Sequence, residues 1–296
     1  MSNCLRKIML TGGDGQLATA IKQHAMAVDF ELIALSSAQL NITQKDSIQH
    51  ALDHYQPDAI INTAAYTAVD KAESDIDLAM LVNSQGARLL AQACQEAAIP
   101  LIHISTDYIF DGSQSTGYKE EDPANPINQY GKSKWLGEQA IRDTHDDHLI
   151  LRISGVFSEY RQNFLKTILR LAQEKPSLRV VDDQITCPTY AGDIAGAILH
   201  ILNQKLVFGT YHYCSSRPVS WYGFAKYIID AANSHKPTTL SGQLFACSTT
   251  EYPTPAKRPP HSILDCSKIH KVYQLTQPQW ENGVQSVIQS LMTSTI

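Results

Sequence analysis

The sequence predicts an α/β protein: a doubly wound parallel sheet with helices on both faces, followed by a smaller C-terminal lobe. Three observations carry this expectation. Short apolar runs alternate with longer amphipathic segments through the first half of the chain, which is the rhythm of βαβ units. The short runs are apolar almost throughout, as strands covered on both faces must be. A glycine-rich turn, TGGDGQLATA, follows the first run directly and opens the first helical segment, the junction at which such sheets bind phosphate groups.

Taken in order, the first strand is KIML (7 to 10), followed by a helix from Gln16 to Ala27 and a strand ELIALS (31 to 36). A helix from Gln44 to Tyr55, with Thr43 as its N-cap, leads to a strand DAIINTAA (58 to 65). A helical stretch from Asp75 to Ala98, a strand LIHIS (101 to 105), a helix from Gln129 to Asp143 and a strand HLILRIS (148 to 154) complete this half. The rhythm then loosens into a helix near Asn163 to Gln173, a strand RVVDD (179 to 183), a helix from Ala191 to Leu202 and a strand TYHYC (210 to 214). Turn-rich YPTPAKRPP (252 to 260) and an amphipathic segment around Trp280 to Met292 close the chain. The expected division is a dinucleotide-binding domain over 1–154, to which roughly 189–216 return, and a substrate-binding lobe made of 155–188 and 217–296 that would cover the cofactor.

Composition narrows the function. With 296 residues, 43% hydrophobic and 18% charged, the chain can bury a real core. A net charge of -5 with scattered Lys and Arg gives no footprint for nucleic acid or anionic lipid, so a small-molecule partner is expected. The longest apolar runs fall short of the ~20 residues of a membrane helix. Cys4, Cys94, Cys187, Cys214, Cys247 and Cys266 show no zinc-binding spacing and read as reduced thiols, which makes the cytoplasm the expected location.

Within the glycine-rich turn, Gly12-x-x-Gly15-x-x-Ala18 would let the backbone approach a pyrophosphate resting on the free N–H groups of the helix start. Gly12, Gly13, Asp14, Gly15, Gln16 and Leu17 are therefore candidate cofactor residues. At the end of the second strand, where a carboxylate would select NAD, stand Ser36 and Ser37. Without an acid to repel a 2'-phosphate, NADPH is the expected cofactor, bound beside Ser36, with NADH also accepted. Ala64, Ala65 and Tyr66 stand where the third strand ends, at the carboxyl edge of the sheet, where ligands collect. The fourth strand ends at that same edge in Ser105, Thr106 and Asp107, a natural place for a catalytic hydroxyl. Tyr130 and Lys134, four residues apart, share one helix face. Their ordinary pKa values are about 10 and about 10.4, so an ammonium beside the phenol favours the phenolate and brings the tyrosine toward useful acid–base strength.

Together, Gly12-x-x-Gly15, the Asn62-Thr-Ala-Ala segment, Ser105-Thr106-Asp107 and Tyr130-x-x-x-Lys134 resemble the extended short-chain dehydrogenase/reductase superfamily, with its Rossmann-type fold. More narrowly, AAYTAVDKAE, STDYIFDG, YGKSKWLGE, NFLKTILRLA, VVDDQ with Pro188-Thr189, SWYGFAKY and YPTPAKRPPHSILD are similar, in that order, to the dTDP-4-dehydrorhamnose reductase family. The resemblance covers nearly the whole chain. It implies NAD(P)H-dependent reduction of the 4-keto group of dTDP-4-dehydro-β-L-rhamnose to dTDP-β-L-rhamnose, a cell-envelope sugar donor. It makes Tyr130 the proton donor, has Lys134 order the nicotinamide ribose and tune Tyr130, and has Thr106 hydrogen-bond the reacting oxygen. It puts Ser105, Asp107, Asn163, Gln184 and Arg258 on the substrate side, with the Arg258 guanidinium on the diphosphate, whose oxygens it can hold bidentately.

The chain departs from the family where RISGVF places Gly155 instead of a common Trp that packs by the sugar. The acids that hold a magnesium ion at a dimer contact in some members have no match, so no metal is assigned, and a homodimer is expected from the resemblance alone. Cys187, before Pro188-Thr189, reads as a packing residue. Two alternatives stand beside the reductase. One is a noncatalytic NADP-binding regulatory subunit, which need not keep Thr106, Tyr130, Lys134 and Arg258 together. The other is a different nucleotide-sugar reductase or epimerase of the same fold, which tightly retained NAD would favour.

Overall fold

The apolar runs become the strands of one sheet. A computed structural model describes residues 7–27, 30–235 and 243–293; Cys4 and the lobe positions 236–242 and 294–296 lie outside the described residues. The chain begins with β1 (Lys7–Thr11), α1 (Gln16–His24), β2 (Glu31–Leu35), α2 (Lys45–Tyr55) and β3 (Ala59–Asn62). It continues through α3 (Ile76–Met80), a π-helical segment (Leu81–Gly86), α4 (Ala87–Ala97), β4 (Leu101–Thr106), α5 (Gln129–Thr144) and β5 (His148–Ile153). Then come the short β6 (Val156–Phe157), α6 (Phe164–Glu174), β7 (Ser177–Val181), β8 (Ile185–Thr186), β9 (Thr189–Tyr190), α7 (Ala191–Leu202) and β10 (Gly209–His212). The last elements are β11 (Val219–Ser220), α8 (Trp221–His235), β12 (Gln243–Cys247), α9 (Ser267–Tyr273) and α10 (Trp280–Thr293).

Six parallel strands form the sheet in the order β10-β5-β4-β3-β1-β2. The order reverses at β1, which is flanked by β2 and β3, and such a switch point opens a crevice at the carboxyl ends of the strands. Alternation along the strands divides the apolar residues between two cores. Ile8, Leu10, Ile61, Ile102 and Leu151 face α1 and α7, whereas Met9, Ile60, Leu101 and Ile150 face α2, α4 and α5. A third core, built from Leu165 and Ile168 of α6, Val180 of β7, Phe224 and Ile228 of α8 and Trp280 and Val284 of α10, belongs to the lobe. Trp280 packs edge-on against Phe224 and Tyr227 there.

Several boundaries differ from the sequence reading. The α2 helix starts at Lys45 with Gln44 as N-cap, not Thr43; Thr43 instead donates its hydroxyl to Asn41 Oδ1 at 2.8 Å. β3 stops at Asn62, because Thr63 and the two alanines after it leave the ladder to lie against the glycine turn. The long helix from 75 is interrupted by the π segment, and the widened turn carries Asn83 inward. Its carboxamide receives the Tyr66 N–H at 2.8 Å and donates to Ser133 Oγ at 2.9 Å, tying the loop after β3 to α5. The sequence reading gave no helix at 221–235, where α8 lies. Leu264, Cys266, Ile269 and Tyr273 pack in the first core with α7 rather than in the lobe to which 217–296 was assigned.

A buried ion pair fixes α5 on the sheet. Glu138 and Arg152 are both fully buried, and the guanidinium meets the carboxylate at 2.8 Å through Nη2 and at 3.0 Å through Nε. Arg142, one turn along α5, adds a 2.7 Å contact. Burial works to raise the Glu138 carboxyl, and the two guanidiniums with the Ser105 hydroxyl overcome it and hold the group below its ordinary value. His212 completes the cluster: Nδ1 donates to the Tyr118 carbonyl at 3.0 Å, and Nε2 accepts from Arg152 Nη1 at 3.1 Å. Burial, with Arg152 beside it, pushes its pKa down to about 3.

Replacing Glu138 by Gln leaves Arg152 buried without a full counter-charge, an effect of about 3–5 kcal/mol that denaturant titration will show as a lower midpoint. A pH dependence follows from His212. Unfolded, the ring takes its proton near pH ~6.5; folded, it stays neutral down to about 3, so the unfolded state binds the extra proton between those values. Its stabilising contribution is present above about 6.5 and lost as the pH falls toward 3. Urea midpoints measured from pH 7 to pH 5 should fall, and His212→Asn should flatten that slope.

Candidate active site

β1 ends at Thr11, and Gly12 turns the chain with φ +66°, a region that glycine enters without steric cost. A Cβ at Gly12 would lie 2.8 Å from the Cα and the backbone nitrogen of Ala64, so the turn can rest on the loop after β3 only without a side chain. Gly15 becomes the N-cap of α1, and no side chain caps that helix. Its first-turn N–H groups have no helical acceptor. Gly15, Gln16, Leu17 and Ala18 border a cavity of about 860 Å³, within the range of ~300–1,000 Å³ usual for ligand sites. An uncapped helix start beside a glycine turn suits a phosphate group, so these residues fit the diphosphate of a dinucleotide.

The cavity spans the switch point. Ser37, Asn41 and Thr43, after β2, border it, and so do Thr106, Tyr130 and Lys134, from β4 and α5. Asn128 caps α5, accepting the Gly131 N–H at 2.7 Å while its amide donates to the Lys257 carbonyl at 2.8 Å. That cap fixes the first turn, and Tyr130 with it. Burial drives the Tyr130 phenol up to about 12, and the neighbouring Thr106 hydroxyl opposes the rise. Lys134 donates to the Ile104 carbonyl at 2.6 Å and stands 3.2 Å from His103 Nε2. Burial lowers its pKa to about 8, against the pull of Glu138. The expectation that Lys134 brings the phenol down is therefore corrected: the ammonium is turned to β4, and desolvation dominates at Tyr130. A phenol this weakly acidic keeps its proton through neutral pH.

Gly12, Asp14, Gly15, Gln16, Leu17, Ala64, Ala65, Tyr66, Ser105, Thr106, Asp107, Tyr130 and Lys134 all border this cavity. Asp107 is buried, which raises its pKa, while Ser262, Ser154 and Thr106 oppose that rise; Ser154 donates to it at 2.7 Å. Ser105 directs its hydroxyl to Glu138 at 2.5 Å.

Five other candidates are engaged elsewhere. The Gly13 N–H is tied to the Leu35 carbonyl at 2.8 Å, and Ser36 donates to Gln39 Oε1 at 2.9 Å, so that Ser37 borders the cavity in its place. Asn163 caps α6, accepting the Lys166 N–H, and donates to the Ser158 carbonyl at 2.7 Å. Gln184 donates to Thr249 Oγ1 at 3.0 Å. Arg258 forms a two-pronged ion pair with Asp70, at 2.8 and 3.0 Å. Both prongs of its guanidinium are thereby committed within the protein.

Sequence reasoning missed an aromatic wall. Phe164 and Trp221 border the cavity with ring centres 4.6 Å apart. Gly155, which also borders the cavity, has φ +55°, and a Cβ there would lie 2.9 Å from Pro188 Cα. A large side chain at 155 would require the backbone to move, and the apolar surface comes from 164 and 221 instead. Arg161 was missed as well: it donates from Nε to the Asp14 carbonyl at 2.6 Å, joining the lobe to the glycine turn. A lone Arg in a loop gives no pattern by which to find it.

Known proteins resemble this chain along nearly its whole length. A family model described as the RmlD substrate binding domain matches residues 6–293. The chain is 39% identical to a dTDP-4-dehydrorhamnose reductase of Aggregatibacter actinomycetemcomitans, over 96% of this chain and 98% of that protein. It is 38% identical to one of Sinorhizobium fredii, over 97% and 98% of the two chains. A crystal structure of dTDP-4-dehydrorhamnose reductase from Bacillus anthracis in complex with NADP matches with a TM-score of 0.91 at 34% identity, covering 97% of this chain and 100% of that one.

Gly12→Ala places a methyl group against Ala64 in a strained backbone region that costs about 1–3 kcal/mol. Fluorescence titration should show NADPH bound at least ~10-fold more weakly, with the circular dichroism of the folded protein retained. An unchanged dissociation constant would remove the glycine turn from the cofactor site.

Proposed function

The chain belongs to the dTDP-4-dehydrorhamnose reductase family, and from that premise we propose how its own residues carry the reaction: NAD(P)H-dependent reduction of the 4-keto group of dTDP-4-dehydro-β-L-rhamnose to dTDP-β-L-rhamnose. One observation supports the assignment of residues above the others. A single cavity runs from the uncapped start of α1 to the Thr106, Tyr130 and Lys134 side chains, so a dinucleotide held at the glycine turn reaches the proton donor.

The nicotinamide, when bound, supplies the hydride. Tyr130 delivers the matching proton to the carbonyl oxygen, and burial keeps its phenol protonated through neutral pH. Thr106, at the carboxyl end of β4, holds that oxygen in place. Lys134, close enough to neutrality to carry or release a proton, orders the ribose. Phe164 and Trp221 supply an apolar surface for the sugar. Arg258, committed to Asp70, holds the C-terminal loop against the segment after β3, so its contribution to substrate binding runs through loop position. Ser37, Asn41 and Thr43 present no carboxylate to the adenosine ribose, which favours NADPH and permits NADH. Homodimer formation is part of this reading, and sedimentation equilibrium tests it.

NADPH oxidation followed against a panel of dTDP-4-keto sugars should show turnover with dTDP-4-dehydrorhamnose; no oxidation with any of them overturns the reading. Tyr130→Phe should lower kcat by ~10²–10⁴-fold while NADPH affinity stays within about twofold. Near-normal turnover in that variant would remove Tyr130 as proton donor.

A further inference from the structure

Among the described residues, His103 is a buried titratable group that the mechanism does not use. His103 lies on β4, 1% exposed, with its ring between β3 and α5. On the β3 side, the Asn62 oxygen accepts two hydrogen bonds, from Thr11 Oγ1 at 2.6 Å and from the Ala64 N–H at 3.1 Å. The oxygen is thereby taken, and it is the amide nitrogen of Asn62 that faces His103 Nδ1, at 2.9 Å. An amide nitrogen only donates, so Nδ1 accepts. Burial, with Lys134 and His148 nearby, holds the pKa of the ring well below the ordinary imidazole value, so the ring does not take a second proton. A neutral ring whose Nδ1 accepts carries its proton on Nε2.

That proton points at Lys134 Nζ, 3.2 Å away. An ammonium has no lone pair, so Nε2–H opposite a charged lysine sets donor against donor. The free amine has a lone pair and accepts. We propose that His103 is a positioning residue: aimed by Asn62 and Thr11, its Nε2–H favours the uncharged amine of Lys134 and sets the pH at which that lysine gains its proton.

The other groups around the pair agree with this. On α5, Glu138 lies one turn beyond Lys134 and attracts the charged form, but its carboxylate is already shared by Arg152, Arg142 and Ser105. Tyr130, one turn before, holds its proton. From β5, His148 has its pKa lowered, by burial first. Asn62 from β3 is neutral, and the polar contact from the π segment, Asn83 on Ser133, is neutral too. Lys134 has the Ile104 carbonyl as acceptor for one of its hydrogens in either state. The Thr11–Asn62 hydrogen bond also links His103 to the end of β1, the strand that leads into the glycine turn.

The proposal rests on the reading of Lys134 as a site residue, but its test uses no turnover and can fail while the reductase assignment stands. Nitrogen NMR of the full chain, labelled in histidine and lysine, should find the His103 proton on Nε2 with Nδ1 bare at pH 7. A proton on Nδ1 overturns the proposal without any substitution. The Lys134 signal, assigned by its loss in Lys134→Met, should titrate near pH 8. In His103→Gln, whose side-chain oxygen can accept from an ammonium, that midpoint should rise by roughly one pH unit. A midpoint that stays within ~0.3 unit, or falls, overturns the proposal.

Discussion

The buried contact between Glu138 and Arg152 sets the depth and rotation of α5 on the sheet, and the chemistry of the site depends on that placement. Tyr130, Lys134 and Glu138 follow one another at four-residue intervals, so they form a single stripe along the helix. Each meets the strand below. Glu138 takes Ser105 and Arg152, Lys134 takes His103 and the Ile104 carbonyl, and Tyr130 lies by Thr106. Rotating α5 would break all of these at once. The charge pair forbids that rotation, because an unpaired charge in this interior is far costlier than a displaced apolar contact.

The second constraint is where the strand order turns. β1 lies between β2 and β3, and the crevice above it brings together the ends of four strands that are far apart in sequence. Gly12 allows the turn after β1 to touch Ala64, and Asn83 holds the loop after β3 against α5. The glycine turn and Tyr130 are thus parts of one packed unit. The dryness that packing produces raises Tyr130 and lowers Lys134, drawing both toward their uncharged forms. Such an environment strengthens every electrostatic contact made with a bound substrate.

Much of this was legible in the sequence, for reasons that are local. Strand periodicity, the glycine turn and the Tyr130–Lys134 spacing are short-range patterns, and each fell in the expected element. What was not legible depends on partners remote in the chain. Arg258 reads as a free loop arginine until the fold brings it to Asp70, 188 residues away. Thr43 has the chemistry of a helix cap, but Asn41 captures its hydroxyl and turns it to the cavity. Ser36 and Ser37 are indistinguishable by residue type, and the turn closed by Gln39 decides which one borders the ligand space. The sign of the Tyr130 shift was misjudged because spacing reports a neighbouring charge and says nothing about desolvation. His103 attracted no notice, since a single histidine in an apolar strand has no pattern.

The central claim is that the glycine turn and the end of β4 serve one reaction, in which hydride reaches the sugar carbon while Tyr130 protonates its oxygen. Its most direct test follows the transferred atom. NADPH carrying deuterium at both nicotinamide C4 positions, given to the enzyme with dTDP-4-dehydrorhamnose, should yield dTDP-rhamnose carrying deuterium on sugar C4, read by mass spectrometry and proton NMR. Product without deuterium at that carbon, or deuterium retained wholly on the nicotinamide, would contradict the account.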